Sequence, residues 1–132
     1  GYELISYVNS KATTWKDLNI GENCFILENN VIQPFVAIGN DVIIWSGNHI
    51  GHHTIIKDHC FLASHVVISG KVTIEPNCFL GVNVTIRDGI HIAKNNVIGA
   101  GAVILNDTKK NQVYTTDSTK LLDINSEELK NI

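Results

Sequence analysis

Hydrophobic residues recur along most of this chain at every sixth position. The recurring residue is Ile or Leu fifteen times in succession, at Ile20, Ile26, Ile32, Ile38, Ile44, Ile50, Ile56, Leu62, Ile68, Ile74, Leu80, Ile86, Ile92, Ile98 and Ile104. Val8 and Thr14 continue the frame toward the N-terminus in weaker form. An amphipathic helix needs apolar residues three and four apart, and a half-buried strand needs strict alternation. The period of six therefore predicts a coil of short strands.

A second apolar position lies four residues after the Ile or Leu. In most repeats it holds a small or β-branched residue: Cys24, Val36, Val42, Thr54, Cys60, Val66, Val72, Cys78, Val84 and Ala102. Gly, Asn and Asp are frequent at the positions between, as turns require. We expect the small residue to fill a tighter inward position at a corner of the coil.

This repeat resembles that of hexapeptide-repeat proteins, in which three hexapeptides form one triangular turn. The resemblance implies an all-β fold, a left-handed parallel β-helix of about five coils with a short C-terminal cap. The left hand comes from the resemblance, because the general preference for right-handed crossovers predicts the opposite. We expect residues 1–109 to form the β-helix and residues 110–132 to form a tail with a capping helix that begins near Ser126.

Residues that lie three repeats apart share one outer column in such a coil. One face then presents Phe25, Ile43, Phe61, Phe79 and Val97 in one column and Leu27, Trp45, Ala63, Gly81 and Gly99 in the next. The other two faces mix polar and smaller apolar residues. An apolar stripe on one face predicts burial against other copies, most economically in a closed homotrimer through the Phe25, Ile43, Phe61 and Phe79 face.

Composition and charge narrow the classes of partner. The 132 residues fit one domain, and the net charge of −3 without a long basic run gives no reason to expect nucleic acid or an anionic membrane. No apolar stretch approaches the roughly 20 residues of a membrane span, and no signal segment opens the chain. We predict a cytoplasmic protein with a small-molecule partner. The cysteines share the inward column and predict buried thiols in a reducing compartment.

The histidines are unevenly placed, and five of the six lie between Asn48 and His65. His52 and His53 follow inward Ile50, so they occupy a corner turn and point outward. Gly70 stacks on His52 one coil further along, which leaves an open slot beside the imidazole. An imidazole can take the proton of an attacking amine or alcohol near neutral pH, and backbone N–H groups at glycine-rich corners can polarise a carbonyl oxygen. A solvated turn histidine is the alternative.

The segments NHIGHHTIIKDHCFLASHVVISG (48–70) and KVTIEPNCFLGVNVTIRDGIHIAKNNVIGAGAVILND (71–107) resemble the sialic-acid and bacillosamine O-/N-acetyltransferases of the NeuD/PglD type. The resemblance implies transfer of an acetyl group from acetyl-CoA to an amino or hydroxyl group of a nucleotide-linked sugar, in bacterial surface-glycan (lipopolysaccharide) biosynthesis. It implies that the catalytic residues are His52, as general base, and His53, which replaces a residue that is often acidic. Gly51 replaces a preceding Glu, and a second family histidine falls on Phe61.

The same resemblance implies the remaining site residues. Family acetyl-CoA lies along a groove between coils of adjacent subunits, which implies cofactor contacts at Gly70, Gly81, Val82, Gly99, Ala100 and Lys120. Asn48, His49 and His65 are expected to contact the substrate or the acetyl group. No metal is expected. Family members usually begin with a small nucleotide-sugar-binding domain, and residues 1–7, which lack an initiator Met, resemble the linker strand that follows it.

Three other functions stay open at this point. The same fold can acetylate another small acceptor such as serine. A metal-dependent hydratase like the γ-carbonic anhydrases needs three zinc-binding histidines, and the histidine spacing here does not offer such a set. A non-catalytic β-helix scaffold would explain the replaced carboxylate and the phenylalanine at position 61, although a scaffold has no need of a histidine-rich turn.

Overall fold

The computed structural model describes residues 1–128, which form a single coil of two-residue strands. In chain order the strands are β1 (Tyr7–Val8), β2 (Asn19–Ile20), β3 (Phe25–Ile26), β4 (Val31–Ile32), β5 (Ala37–Ile38), β6 (Ile43–Ile44), β7 (His49–Ile50), β8 (Ile55–Ile56), β9 (Phe61–Leu62), β10 (Val67–Ile68), β11 (Thr73–Ile74), β12 (Phe79–Leu80), β13 (Thr85–Ile86), β14 (His91–Ile92), β15 (Val97–Ile98), β16 (Val103–Ile104) and β17 (Val113–Tyr114). A short 3-10 helix spans Ser126–Glu128.

The strands form three parallel sheets, one on each side of a triangular prism. Sheet 1 has seven strands in the order β1-β3-β6-β9-β12-β15-β17, sheet 2 contains β4, β7, β10, β13 and β16, and sheet 3 contains β2, β5, β8, β11 and β14. We call the turns from sheet 1 to sheet 2 corner 1, those from sheet 2 to sheet 3 corner 2, and those from sheet 3 to sheet 1 corner 3. The coil is a left-handed β-helix of about six turns, so the predicted fold class is confirmed.

The period of six decides which residue of each strand is inside. In every two-residue strand from β3 to β16 the second residue is buried and the first points outward. Of the fifteen predicted inward residues all are buried except Ile20, which is half-buried in the first coil. Stacked partners are three repeats apart, as in Phe61↔Phe79 and Leu62↔Leu80. Each coil therefore rests its Ile or Leu directly on that of its neighbour, and the core is continuous along the axis.

The three cysteines lie in this core. Cys24, Cys60 and Cys78 are buried and free, in the corner column that the sequence predicts. A hydrogen bond with the Cys78 thiol, together with burial, raises the pKa of Cys60. A buried, protonated thiol is a weak nucleophile, so Cys60 acts as a small core residue.

Sheet 1 extends further than the sequence pattern indicates. The expectation was about five coils, but β1 and β17 add a strand at each end of sheet 1. β17 (Val113–Tyr114) lies beyond residue 109 and pairs with β15. The 3-10 helix begins at Ser126, where the sequence predicts a helix start, and Leu121, Leu122 and Ile124 before it are exposed. Among residues 1–128 no helix is long and apolar enough to span a membrane.

Every coil turns its corners with a residue in the left-handed backbone region. Asn holds this position most often, because its short polar side chain tolerates a positive φ. Five bulkier residues adopt the same conformation, with φ of 62° at Phe35, 59° at His53, His59 and His65, and 58° at Lys71. Phenylalanine is rare there, so Phe35 marks corner 2 as unusual.

Candidate functional site

His52 and His53 form the most concentrated group of potential proton carriers on the surface. Both lie at corner 2 between β7 and β8, and both are exposed. Their Nδ1 atoms are 3.0 Å apart, and the two ring planes are nearly perpendicular at 89°. The backbone N–H of His52 donates to Gln33 Oε1 at 2.9 Å, which fixes the turn to the coil below. The predicted catalytic pair is therefore in direct contact.

Gly70 leaves one edge of the His52 ring uncovered. A Cβ built on Gly70 would lie 2.7 Å from both Cε1 and Nε2 of His52. Any larger residue at position 70 would therefore collide with the nitrogen that is not engaged by His53. Gly51 is equally constrained, because a Cβ there would lie 2.6 Å from the backbone N of Gly70. The two glycines let successive turns of corner 2 approach closely and keep His52 Nε2 accessible, as the stacking of Gly70 on His52 predicts.

Phe35 supports the His53 ring from the coil below. The ring centroids are 4.7 Å apart and tilted by 36°. The backbone N–H of Phe35 donates to Asp17 Oδ2, so the strained turn is held by a carboxylate from the preceding coil. Neither Phe35 nor Gln33 is among the site residues predicted from the sequence. Phe35 lies three repeats before His53, so the stacking rule applied to corner 2 was the signal that could have found it.

The outer face of sheet 2 connects this corner with the other predicted contacts. His49 is the outward residue of β7 and is half-buried between Val31 and Val67. His65 lies at corner 1, where a Cβ on Gly47 would be 2.7 Å from its ring. His65, His49 and His52 thus lie at one edge, the middle and the other edge of sheet 2.

Asn48 does not face this surface, contrary to the prediction that it contacts the substrate. It is 1% exposed. Its Nδ2 donates to Trp45 O at 2.6 Å, its Oδ1 accepts the Val66 N–H at 2.7 Å, and its own N–H donates to Asn30 Oδ1. Because a buried amide must satisfy its hydrogen bonds internally, Asn48 is part of the turn structure.

The predicted cofactor positions fall in two places. Gly81, Val82, Gly99 and Ala100 are all at corner 1, whereas Gly70 is at corner 2, across sheet 2. A Cβ on Gly81 would lie 2.7 Å from Ala100 N, so Gly81 permits the close stacking of these turns. The backbone N–H groups of Gly70, Val82 and Ala100 donate to no other residue within 1–128.

Lys120 is an exposed residue of the tail beyond β17. The tail is held to corner 1 by Thr116, whose hydroxyl donates to Ala100 O at 3.3 Å. Lys120 follows this contact by four residues in a segment without regular secondary structure. No hydrogen bond to its side chain fixes it within the described residues.

The carboxylates that contact histidines lie elsewhere. Asp41 Oδ2 is 3.1 Å from Nδ1 of His59 at corner 3, and Glu75 Oε1 is 3.1 Å from Nε2 of His91 on sheet 3. Hydrogen bonds from Lys57 and then His91 hold the pKa of Glu75 below its ordinary value. His59 points toward Asp41, and Phe61 is an outward residue of sheet 1, so neither joins the His52 group.

In the part of the chain that the structure describes, no three His, Cys, Asp or Glu residues are grouped as metal ligands. His53 contacts His52 and Phe35, and His91 contacts Glu75.

Two family models match the repeats. The model described as "Bacterial transferase hexapeptide (six repeats)" matches residues 17–51 and 38–70. The model described as "Hexapeptide repeat of succinyl-transferase" matches residues 71–106. Together they account for the coil from its first full turn to β16. No curated protein sequence matches the chain.

Solved structures with the same fold include sugar N-acetyltransferases. A histidine mutant of perosamine N-acetyltransferase from Caulobacter crescentus, in complex with CoA and GDP-perosamine, superposes with a TM-score of 0.84 at 23% identity over 86% of this chain and 54% of that one. The acetyltransferase domain of PglB from Neisseria gonorrhoeae, in complex with acetyl coenzyme A, gives 0.83 at 20% identity over 86% of this chain and 55% of that one.

A third structure is the N-acyltransferase AntD from Bacillus cereus, an aspartate mutant in complex with dTDP and coenzyme A. Its TM-score is 0.76 at 15% identity, over 80% of this chain and 73% of that one. At these identities the likeness shows the fold. This chain spans about half the length of the first two structures.

Proposed function

Because the chain belongs to the hexapeptide-repeat transferase family, we propose that it transfers an acetyl group from acetyl-CoA to an amino or hydroxyl group of a nucleotide-linked sugar. The observation that carries this proposal is the open edge of His52. Its Nε2 faces a slot that only a glycine at position 70 leaves free. An imidazole nitrogen next to a turn of the neighbouring coil whose Gly70 N–H has no acceptor within residues 1–128 suits acyl transfer, which needs a base and a donor to the carbonyl oxygen.

His52 acts in this proposal as the general base. Acetyl-CoA supplies the thioester whose acetyl group is transferred. His52 Nε2 takes the proton of the acceptor amine or hydroxyl as its nitrogen or oxygen bonds to the acetyl carbon. The C–S bond breaks, and His52 returns the proton to the sulfur. The Gly70 N–H donates in this proposal to the carbonyl oxygen as negative charge develops there.

The groups at corner 1 hold the coenzyme in this proposal. The free N–H groups of Val82 and Ala100 are donors for amide carbonyls of the pantetheine chain, and Gly81 and Gly99 allow the chain to approach the backbone. Lys120, on the exposed tail, binds a coenzyme phosphate in this proposal. His49, on sheet 2 between the two corners, and His65, at corner 1, contact the acceptor or the acetyl group in this proposal.

The acceptor class is supported by the structures that share the fold. Two of the three were solved with a nucleotide-sugar or a nucleotide, and all three with CoA or acetyl-CoA. A sugar amine is the acceptor named for perosamine N-acetyltransferase. The choice between a nitrogen and an oxygen acceptor depends on groups that hold the sugar, so both classes belong in the assay. The biosynthesis of bacterial surface glycans, in the cytoplasm, is the proposed context.

The active assembly is proposed to be a homotrimer built on sheet 1. The seven outward residues of sheet 1 are all apolar: Tyr7, Phe25, Ile43, Phe61, Phe79, Val97 and Val113. The outward residues of sheets 2 and 3 include the polar residues His49, Thr85, Asn19 and Thr73. Among the three sheets, sheet 1 is therefore the one with an uninterrupted apolar outer face. A closed ring buries the same face of every copy.

Replacing His52 with glutamine tests the proposal. His52→Gln removes the base and keeps a polar side chain at an exposed turn, so we expect turnover of acetyl-CoA with a nucleotide-linked amino sugar to fall roughly 10²- to 10⁴-fold. The thermal unfolding midpoint without ligand should not change. Acetyl-CoA should still raise it, because the corner 1 groups are intact. Undiminished turnover in His52→Gln would exclude His52 as the base.

A further inference from the structure

The contact between His52 and His53 restricts which of their ring nitrogens can carry a proton. Two neutral imidazoles whose Nδ1 atoms are 3.0 Å apart need one nitrogen to donate and the other to accept. In one arrangement His52 carries its proton on Nδ1 and keeps a lone pair on Nε2. In the reverse arrangement the proton of His52 is on Nε2. Only the first arrangement leaves Nε2, the atom at the Gly70 slot, able to accept a proton.

No carboxylate contacts either ring among residues 1–128. Asp41 and Glu75 contact His59 and His91, at corner 3 and on sheet 3. Within the described part of the chain, the neighbouring imidazole is therefore the only side-chain partner of His52 Nδ1. Which nitrogen of a histidine carries the proton is decided by the hydrogen bond that the other nitrogen makes.

The position of His53 is itself held. Its φ of 59° aims the side chain back across the turn, and its ring stacks on Phe35. Phe35 has a φ of 62°, which is unfavourable for a residue with a Cβ, and it is 62% exposed. The Asp17 carboxylate accepts its backbone N–H and stabilises this strained turn. A strained, exposed aromatic ring that contacts one imidazole is explained if the imidazole must be kept in place.

We propose that His53 is a positioning residue: its Nδ1 accepts the Nδ1–H of His52, which keeps the lone pair of His52 on Nε2, and Phe35 holds the His53 ring for this purpose. The inference rests on the proposed acetyl transfer. When His52 takes a proton, the positive charge is shared across the Nδ1–H···Nδ1 hydrogen bond with a neutral partner. His53 thereby fills the orienting role without a carboxylate.

Two substitutions at position 53 separate this role from a structural one. In His53→Asn the amide Oδ1 occupies the place of Nδ1, and asparagine tolerates the positive φ. In His53→Phe a ring remains to stack on Phe35, but the acceptor is lost. We expect kcat to fall roughly ten- to a hundredfold in His53→Phe with an unchanged KM for acetyl-CoA, and to be largely restored in His53→Asn. His59→Phe, at a matched φ of 59° one corner away, is the control and should keep its kcat.

The proton positions can be read without an activity assay. Two-bond ¹H–¹⁵N spectra of the neutral wild-type chain should show His52 protonated on Nδ1 and His53 on Nε2, and the Nδ1–H form of His52 should be lost in His53→Phe. A His52 ring protonated on Nε2 in the wild type, or equal kcat losses in His53→Phe and His53→Asn, would overturn the proposal. If the wild-type chain transfers no acetyl group, the proposed function fails separately, and the spectra still decide the roles within the pair.

Discussion

His52 is accessible because residue 70, which stacks on it, is a glycine without a side chain. Residues at the other turns of corner 2 carry side chains, as at Pro34 and Asp88, whereas position 70, directly above His52, has none. No positive φ is found at Gly70, so its backbone does not require glycine. Space beside the imidazole is therefore the reason for glycine at this position.

Substituting alanine at position 70 should separate stability from activity. In Gly70→Ala the added Cβ would lie 2.7 Å from Cε1 and Nε2 of His52, so the imidazole must turn away and the slot closes. We expect turnover to fall roughly tenfold or more. The free energy of unfolding should change by less than about 1 kcal/mol, because alanine restricts the unfolded chain and offsets the local contact. Steady-state kinetics and chemical denaturation measure the two effects. Unchanged turnover would show that the slot is not used.

Individual site residues could be predicted from the sequence only where the repeat determines whether a side chain points into or out of the coil. The frame of six places His52 outward and Gly70 above it, and the structure has them so. The hydrogen bonds of Asn48 were not predictable from hydrophobicity, because a polar residue at the small inward position reads as surface. The contacts of Phe35 and Gln33 depend on their χ angles and on φ at one turn. The spacing of residues along the sequence does not determine these angles.

The inward position four residues after each repeated Ile or Leu can hold a polar residue when its hydrogen bonds are satisfied within the coil. At corner 1 this position holds Asn30, Asn48, Val66, Val84 and Ala102 in successive coils, and the first two form a ladder that ends at the Val66 N–H. The ladder gives the turns an axial hydrogen bond that valine cannot provide. The buried asparagines therefore join neighbouring coils.

Breaking this ladder should reduce stability and leave catalysis intact. Asn48→Ala leaves the Val66 N–H without its acceptor and the Trp45 carbonyl without its side-chain donor, and an unpaired buried group costs about 1–3 kcal/mol. We expect the free energy of unfolding to fall by that amount, measured in urea. The KM values should not change at a temperature where the variant is folded. An increased KM for the acceptor with normal stability would instead restore Asn48 as a substrate contact.

At the scale of the whole molecule, the fold was predictable because one interaction repeats. Each coil buries the same two positions, so the sequence determines the register, the three sheets and the inward residues. The ends were less predictable: β1 and β17 lack the Ile or Leu step, and they join sheet 1 through backbone pairing to a strand that is already formed. The left hand is not encoded in the period at all, since the same spacing fits either hand.

The aromatic side chains on the outer face of sheet 1 lead to a prediction about self-association of the chain. Phe61 and Phe79 stack with centroids 5.4 Å apart, and Phe79 is 41% exposed on a face where every outward residue is apolar. In Phe79→Glu a closed ring would bring like charges together at its centre, so we expect a monomer that keeps the β-helix. Ile55→Glu on sheet 3 is the matched control, because Ile55 is 44% exposed and should tolerate the charge.

Sedimentation velocity distinguishes these outcomes, and circular dichroism checks the fold of each variant. Corner 1 borders sheet 1, so a second copy docked on sheet 1 would lie beside the Gly81, Val82 and Ala100 groups that are proposed to hold the coenzyme. Loss of the assembly should therefore also reduce the stabilisation by acetyl-CoA. A wild-type monomer, or a Phe79→Glu variant that assembles like the wild type, would mean that the apolar face of sheet 1 has another partner. An assembled but inactive Ile55→Glu variant would place the site nearer sheet 3 than its histidines indicate.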